Sequence, residues 1–404
     1  MRNINFYLIL KFAVAFSFAA VFSSQVNAHE LFESHLNPRA LGMGGAYNSV
    51  VDDEESLWFN PAGIAKNLGI HWDIADIKAG ASDPTPMMSA YSDLQKQATF
   101  QQGLNALYGK PIWAGASGKT AVIIPFFAAA YYYDVDASII ADNPVNPTMT
   151  LNYVTDQGFA LGTGFSIAQV FQMGFATRYI NRSGVRGDFG SATIADILAG
   201  TTQPSTIFNN INNKGTGYAL DFGSNITIPG PVKPTLSFVW KNMGNTNFHA
   251  TGSTGIAPPT DQQDMQIGAS LLVDAWIVHI VPSIEFRNLN DSTVQIGNKT
   301  HLGVELGIPF LDLRAGLYQG NFSYGFGLDM GLLELEAASW ASEVGGYPGQ
   351  LSSRRYLVEL NLRLGFDFLG GGSSSSSGSK SGSGTATGGS GSSSSSTRRN
   401  KVRR

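Results

Sequence analysis

His279 and His301, with Glu285, Glu305 and Asp312 close by in sequence, are the residue types from which a proton-transferring dyad could be built. A hydrolase using them would also need a nucleophile on a sharp turn, and no Gly-x-Ser-x-Gly precedes residue 370. Gly118-Lys119-Thr120 imitates the end of a phosphate-binding loop. Trp113, however, stands where its first glycine must be, and the strand-like Ala121–Phe127 follows instead of a helix. The six histidines are scattered, without a pair at zinc-ligand spacing, and there is no cysteine for thiol chemistry or a disulfide. The chain is therefore expected to be no enzyme and to use no cofactor and no metal. Its net charge of -4 leaves no global field for a nucleic-acid partner.

The polar residues share a place in the pattern around them. From Tyr356 to Phe368 every second residue is apolar, and Leu357, Glu359, Asn361, Arg363, Gly365 and Asp367 lie between. In a strand the two sets face opposite sides, one suited to lipid and the other to a polar lumen. The same alternation runs through Trp276–Arg287, His301–Ile308, Leu311–Tyr318 and Phe322–Gly331. A consecutive series of this kind marks a transmembrane antiparallel β-barrel of about 14 strands, beginning near Gly69 and closing at Phe368. His279, Glu285, Arg287, His301, Arg314, Glu359 and Arg363 then form a candidate polar lumen wall. Gly303, Gly307, Gly316, Gly325, Gly327 and Gly331 share that face, where side chains would crowd anything packed inside. Over Lys110–Thr155 one long strand or two shorter ones fit equally well.

Short connections near Ile167–Phe171, Pro229–Lys233, Val273–Ala275, Pro309–Leu311 and Leu332 face longer ones at Arg182–Gly215, Gly244–Asp264, Leu289–Lys299 and Ala341–Arg354. That asymmetry fits a bacterial outer-membrane barrel with its short side toward the periplasm. Apolar residues recur at helical spacing in Met87–Tyr108 and, less regularly, in Ser191–Ile211, where helices could cap the barrel or receive a greasy ligand. Pro125 interrupts the apolar run Ala121–Ala130. It sits either in a turn between two short strands or within the wall, where its missing donor would leave a candidate lateral gap.

The flanks differ from the barrel. Arg2 and Lys11 precede the apolar Phe12–Phe22, and Val26-Asn27-Ala28 ends the layout of a secretory signal, with cleavage expected after Ala28. The expected organisation is a signal peptide over 1–28, an N-terminal plug over 29–68, the barrel over 69–369 and a Gly/Ser-rich tail over 370–404. The tail ends in Thr397-Arg-Arg-Asn-Lys-Val-Arg-Arg404, five positive charges that could hold an anionic cell-envelope polymer or lipid head groups.

The segment ahead of the barrel carries Arg39-Ala-Leu-Gly-Met-Gly-Gly-Ala-Tyr47, then Asp52-Asp53-Glu54, then Asn60-Pro-Ala-Gly-Ile64. This resembles the N-terminus of FadL-type outer-membrane transporters, a superfamily of long-chain fatty-acid and hydrocarbon channels that also includes barrel subunits of a bacterial secretion system. The resemblance rests on Gly42, Gly44, Gly45, Asn60, Pro61, Ala62 and Gly63 and extends to the barrel only in pattern. It implies a plug folded inside the barrel and passive uptake of a hydrophobic small molecule, with exit sideways into the membrane. The alternative is a structural or secretion-adaptor barrel that binds another protein. Outer-membrane lipid and the barrel-assembly machinery are the remaining expected partners. The chain departs from the pattern in its polar lumen face, in a Gly/Thr/Pro-rich Gly244–Asp264 without an amphipathic helix, and in residues that continue past the last strand.

Overall fold

Alternating sequence becomes a closed wall. In a computed structural model, residues 30–31, 33, 35–85, 88, 92, 108–142, 148–190, 213–275 and 277–367 are described. The expected signal peptide, most of Met87–Tyr108, the expected helix in Ser191–Ile211 and the tail lie outside these residues.

The strands are β1 (Gly69–Ser82), β2 (Ile112–Ile124), β3 (Phe127–Asp142), β4 (Thr148–Ile167), β5 (Phe171–Gly190), β6 (Asn213–Thr227), β7 (Val232–Lys241), β8 (Phe248–Ala250), β9 (Asp264–Ala275), β10 (Val278–Phe286), β11 (Thr300–Ile308), β12 (Leu311–Tyr318), β13 (Asn321–Asp329), β14 (Leu333–Glu343) and β15 (Ser352–Asp367). Each pairs antiparallel with its neighbours, β5 joins β6, and β1 meets β15 from Gly69 opposite Asp367 to Ser82 opposite Arg355. The three-residue β8 only extends the edge of β6, and β7 passes directly to β9, so the wall is a closed barrel of 14 strands. Lys110–Thr155 resolves into β2, β3 and the start of β4, one strand more than the largest number its sequence suggested.

Side-chain alternation decides which way each strand faces. Tyr356, Val358, Leu360 and Leu362 of β15 are exposed, while Leu357, Glu359 and Asn361 are buried. Lipid is the natural solvent for the first set. Strand β1 breaks the alternation with a bulge: Asp73 lies opposite Arg363, but Leu362 is opposite Ala75, leaving Ile74 extra. The added residue puts both Asp73 and Asp76 on the inner face. In strict alternation one of them would face hydrocarbon, where a charged side chain is destabilising.

Residues 35–67 lie against the inward face of this wall. A short helix, Pro38–Gly42, is capped by Asn37, whose side chain accepts from the Ala40 amide at 2.8 Å. Asp53 caps a 3-10 turn at Glu54–Leu57, and Asn60 caps another at Pro61–Lys66. Asn60-Pro61 opens a turn of helix, where proline at the first helical position loses no bond.

Glycines set how closely this segment meets the wall. A Cβ on Gly316 would stand 2.5 Å from the Gly44 nitrogen, one on Gly325 3.1 Å from Gly42 Cα, and one on Gly303 would collide with the Met43 carbonyl. On the opposite wall, a Cβ on Gly162 or Gly164 would meet Ile64 or Ala65 at 2.9 Å or less, and one on Gly174 or Gly223 would collide with Pro61 or Asn60. Of the other glycines on the polar face, Gly307 makes room for the His279 ring and Gly327 for Arg314 and Glu336. Gly331 is a correction: it sits in the β13–β14 turn at φ 89°, facing open space.

Gly316→Ala is expected to loosen residues 35–67 by about 1–3 kcal/mol, the usual range for overpacking. Limited proteolysis of purified barrel should release the segment faster than in wild type, whereas Gly118→Ala, with nothing within 4 Å of its added Cβ, should behave as wild type. Equal protection in the two variants would refute the close-packing account.

Candidate functional site

The inner segment and the wall meet through three charged clusters and one apolar one. At the centre of the first is Glu55, which accepts from Lys78 at 2.8 Å and from Lys119, with His35 Nε2 2.9 Å away. Asp76 stands 3.3 Å from Lys78 and 3.1 Å from Lys119, so two buried lysines share two buried carboxylates. Arg363 clamps the neighbouring Asp73 at 2.6 Å and Glu54 at 2.9 Å. The bulge in β1 makes this cluster possible, since it supplies both aspartates.

In the second cluster Arg39 donates twice to Glu305, at 2.7 and 2.9 Å, and Arg314 bridges Glu305 to Glu336. The third ties down the tight turn at Gly44-Gly45. Glu285 accepts the backbone amides of Tyr47 and Asn48 at 3.0 and 2.8 Å. Arg287 donates to Glu285, to Glu33 and to the Gly45 carbonyl, while the His301 ring pairs with the Gly44 carbonyl at 2.7 Å. Asn60 completes the frame by donating to Asn48 and to Asn225 of β6.

Two larger polar recesses lie inside among the described residues. The inner recess, about 110 Å³, opens at the short-turn end, with Asn67, His71, Asp312 and Glu334 among its lining residues. The outer recess, about 270 Å³, opens at the long-loop end between Glu33, Lys241, Asp264, Arg287 and His301. Between these ends lies an apolar cluster in which Tyr47, Val50, Val51, Trp58 and Phe59 of the inner segment pack on wall residues including Ile123, Tyr132, Leu272 and Val281.

The wall has a weak place beside that cluster. Strand β10 pairs with β9 at Ile280 opposite Val273 and again at Ser283 opposite Ser270, but not at Val281 and Pro282 between them. The register is the same on either side. Proline brings no donor to a ladder, and the pairing of β10 with β11 is continuous through Pro282 opposite Val304. Leu272 and Val281 are buried on the inner face, and Leu271 and Ile280 are exposed on the outer one.

The wall residues anticipated from sequence all lie on the inner face, where they hold the inner segment: Glu285, Arg287 and His301 at Gly44–Asn48, Arg314 through Glu305, and Arg363 through Glu54. His279 and Glu359 reach carboxylate or lysine partners only at 3.8–3.9 Å. No nucleophile completes a dyad with His279 or His301 among their described partners. Pro125 is the other correction. It lies with Phe126, at φ 74°, in the two-residue turn between β2 and β3, and Ile124 and Phe127 pair on either side of it. The sequence reading missed Lys78, Asp73 and Asp76, because the bulge in β1 breaks simple alternation there; it weighed Lys119, which alternates regularly in β2, only as part of a phosphate-loop imitation, and it counted Pro282 only as one apolar position in its strand.

Burial, and then each other's charge, push the Asp53 carboxyl up to about 7. Burial also raises Glu54 to about 7 against the pull of Arg363, helped by Asp73. Glu55 goes the other way: burial would raise it, but Lys119, Lys78 and His35 together hold it well below the usual carboxylate range.

No protein-family model matches the chain, and no curated protein does. Among solved structures the chain is similar to the Ralstonia pickettii toluene transporter TbuX, at 10% identity over 82% of this chain and 98% of that one, with a TM-score of 0.46. It is similar also to the Pseudomonas putida toluene transporter TodX, at 9% identity over 85% and 100%, TM-score 0.45. The translocator domain of autotransporter NalP from Neisseria meningitidis follows at 10% identity over 80% and 98%, TM-score 0.36.

Two outcomes are expected of this site. Glu55→Gln leaves Lys78 and Lys119 short of a counter-charge and should destabilise the inner segment by about 3–5 kcal/mol, the usual cost of breaking a buried pair. Adding Lys119→Met should recover most of that loss in denaturant titrations; no recovery would show that the charges are not the cause. The second outcome concerns pH. Asp53 and Glu54 titrate near 4 in an unfolded chain and near 7 here. Their contribution is therefore complete below about pH 4 and is lost as pH rises through about 7, while Glu55 stays ionised across that window. Protease release of residues 35–67 should accelerate between pH 5 and 8.5, and a flat profile would contradict the shifts.

Proposed function

We propose that this protein is a bacterial outer-membrane barrel for passive uptake of hydrophobic small molecules such as long-chain fatty acids or hydrocarbons. In this reading the inner segment is a plug, and cargo leaves sideways between β9 and β10. The observation that carries the reading is the pairing skip at Val281–Pro282, which coincides with an apolar path. Leu272 and Val281 touch the same cluster as Tyr47, Val50 and Phe59 on the inside, and Leu271 and Ile280 present apolar surface outside. Elsewhere the lumen is closed by glycine contacts and ion pairs, so an apolar molecule finds compatible surface toward the bilayer and not along the axis. Backbone groups facing hydrocarbon need partners, and a strand pair that lacks some of them is the pair that separates most readily. Capture from outside falls to the long-loop end, to which residues 86–107 and 191–212 belong in sequence.

A second reading, the adaptor barrel that binds another protein, is favoured by the filled lumen and by the polar lining of the outer recess. One experiment separates the two. Cells carrying Pro282→Val, which restores a donor to β10, should take up radiolabelled long-chain fatty acid or toluene severalfold more slowly than wild type while the barrel assembles normally. Unchanged uptake by an assembled variant would remove the lateral route, and no uptake by wild type above a deletion strain would leave the adaptor reading.

A further inference from the structure

Buried lysines among the described residues find an acceptor, with one exception. Lys78 and Lys119 share Glu55 and Asp76, and Lys299 donates to the Asp291 carbonyl. Lys241, at the end of β7, is 8% exposed. Among the described residues it has no carboxylate in ion-pair contact and makes no hydrogen bond. Its Nζ instead stands 4.9 Å from the centroid of the Phe59 ring. A ring face attracts an ammonium but does not neutralise it. Buried charges are ordinarily paired, so an anion is missing beside this one.

We infer that the outer recess binds a small, singly charged carboxylate, with Lys241 as its counter-ion. Place is the first argument. Lys241 lines the recess at the long-loop end, and its Nζ is not sealed off from it. The neighbouring acids are the second, because each is already engaged within the protein. Glu30, Glu33 and Asp261 are held by Arg355, Arg287 and Arg182, and Asp264 and Asp291 accept the Asn288 and Thr293 amides. Charge is the third. One uncompensated cation matches one negative charge, whereas a dianion would turn its surplus charge toward Glu33 and Asp264 in the same lining. Size and lining are the fourth. The recess measures about 270 Å³, near the lower end of the range of about 300–1,000 Å³ for small-molecule sites. That is more than a halide fills and too little for a long acyl chain, which the polar lining would also repel. Thr260, Gln262 and Asn288 offer hydrogen-bonding groups to the rest of the molecule. The inference rests on the recess alone and holds whether the barrel is a channel or an adaptor.

Calorimetric titration of full-length protein in neutral detergent and low-salt buffer tests it. Butyrate should bind at one site per chain, and 1-butanol, of the same length without the charge, should not. Binding should be lost in Lys241→Met, largely kept in Lys241→Arg and unchanged in Lys214→Met, which removes an exposed lysine. A second measurement needs no variant: butyrate should protect Lys241 of the wild type severalfold against acetylation by acetic anhydride, read by mass spectrometry, and leave Lys214 unprotected. Equal binding of butyrate and 1-butanol, undiminished binding by Lys241→Met, or equal acetylation of Lys241 with and without butyrate would overturn the inference. Binding of decanoate without butyrate would also overturn it, by moving the carboxylate to the head of an aliphatic chain.

Discussion

The interior depends on backbone meeting backbone. Gly42 packs on Gly325, Met43-Gly44 on Gly303 and Gly316, and Asn60-Pro61 on Gly164, Gly174 and Gly223 across the lumen. Everything else about the inner segment follows from these approaches. With side chains absent at the seams, the segment's carbonyls and amides lie close enough for Glu285, Arg287 and His301 to reach them directly. The turn at Gly44-Gly45 needs positive φ, 65° and 84°, which only glycine adopts without strain. Side chains are excluded on both partners: a Cβ on Gly44 would meet the Leu302 and Leu317 backbone, one on Gly45 the His301 and Tyr318 rings, and one on Gly303 the Met43 carbonyl.

The charged clusters build on that geometry and add specificity rather than bulk stability. A buried ion pair roughly breaks even against an apolar pair of the same shape, but losing one member is costly. Lys78, Lys119, Glu55 and Asp76 are each buried and each needed by the others. They admit one position of the Glu54–Leu57 turn and penalise any shift along the wall. The aromatic contacts complete this, with His35 stacked on Trp58 at 4.2 Å and Lys119 over the Trp58 ring at 5.2 Å.

Much of this was legible in the sequence. Period-two alternation exposed the later strands almost residue by residue, because one face must suit lipid and the other a filled lumen, as in β15. The glycines of β11 to β13 marked the packing side for the same reason. Legibility failed where local geometry breaks the period. Ile74 is an extra residue in β1, and a strand read by strict alternation cannot place both Asp73 and Asp76 inside. Pro125 stands out because it interrupts an apolar run, but a turn accepts it without loss, whereas Pro282 hides at an ordinary outward position and still removes a rung. Which proline matters depends on pairing partners that sequence spacing alone does not supply.

In the proposed uptake reading, the contrast between a polar interior and an apolar cargo has a physical resolution. Axial passage through the described lumen would require the inner segment to leave, breaking the glycine seams and three buried charge clusters together. Each cluster broken asymmetrically costs about 3–5 kcal/mol, and such costs are concerted because the clusters share one short segment. Parting β9 from β10 at Val281–Pro282 does not require the inner segment to leave, and the side chains at the missing rungs, Leu271, Leu272 and Val281, are apolar. The same ion pairs that make the axis impassable also keep the apolar cluster fixed against the weak rung. In the proposed uptake reading a rigid polar filling and a lateral apolar route are complementary: the first would confine an apolar molecule to the second.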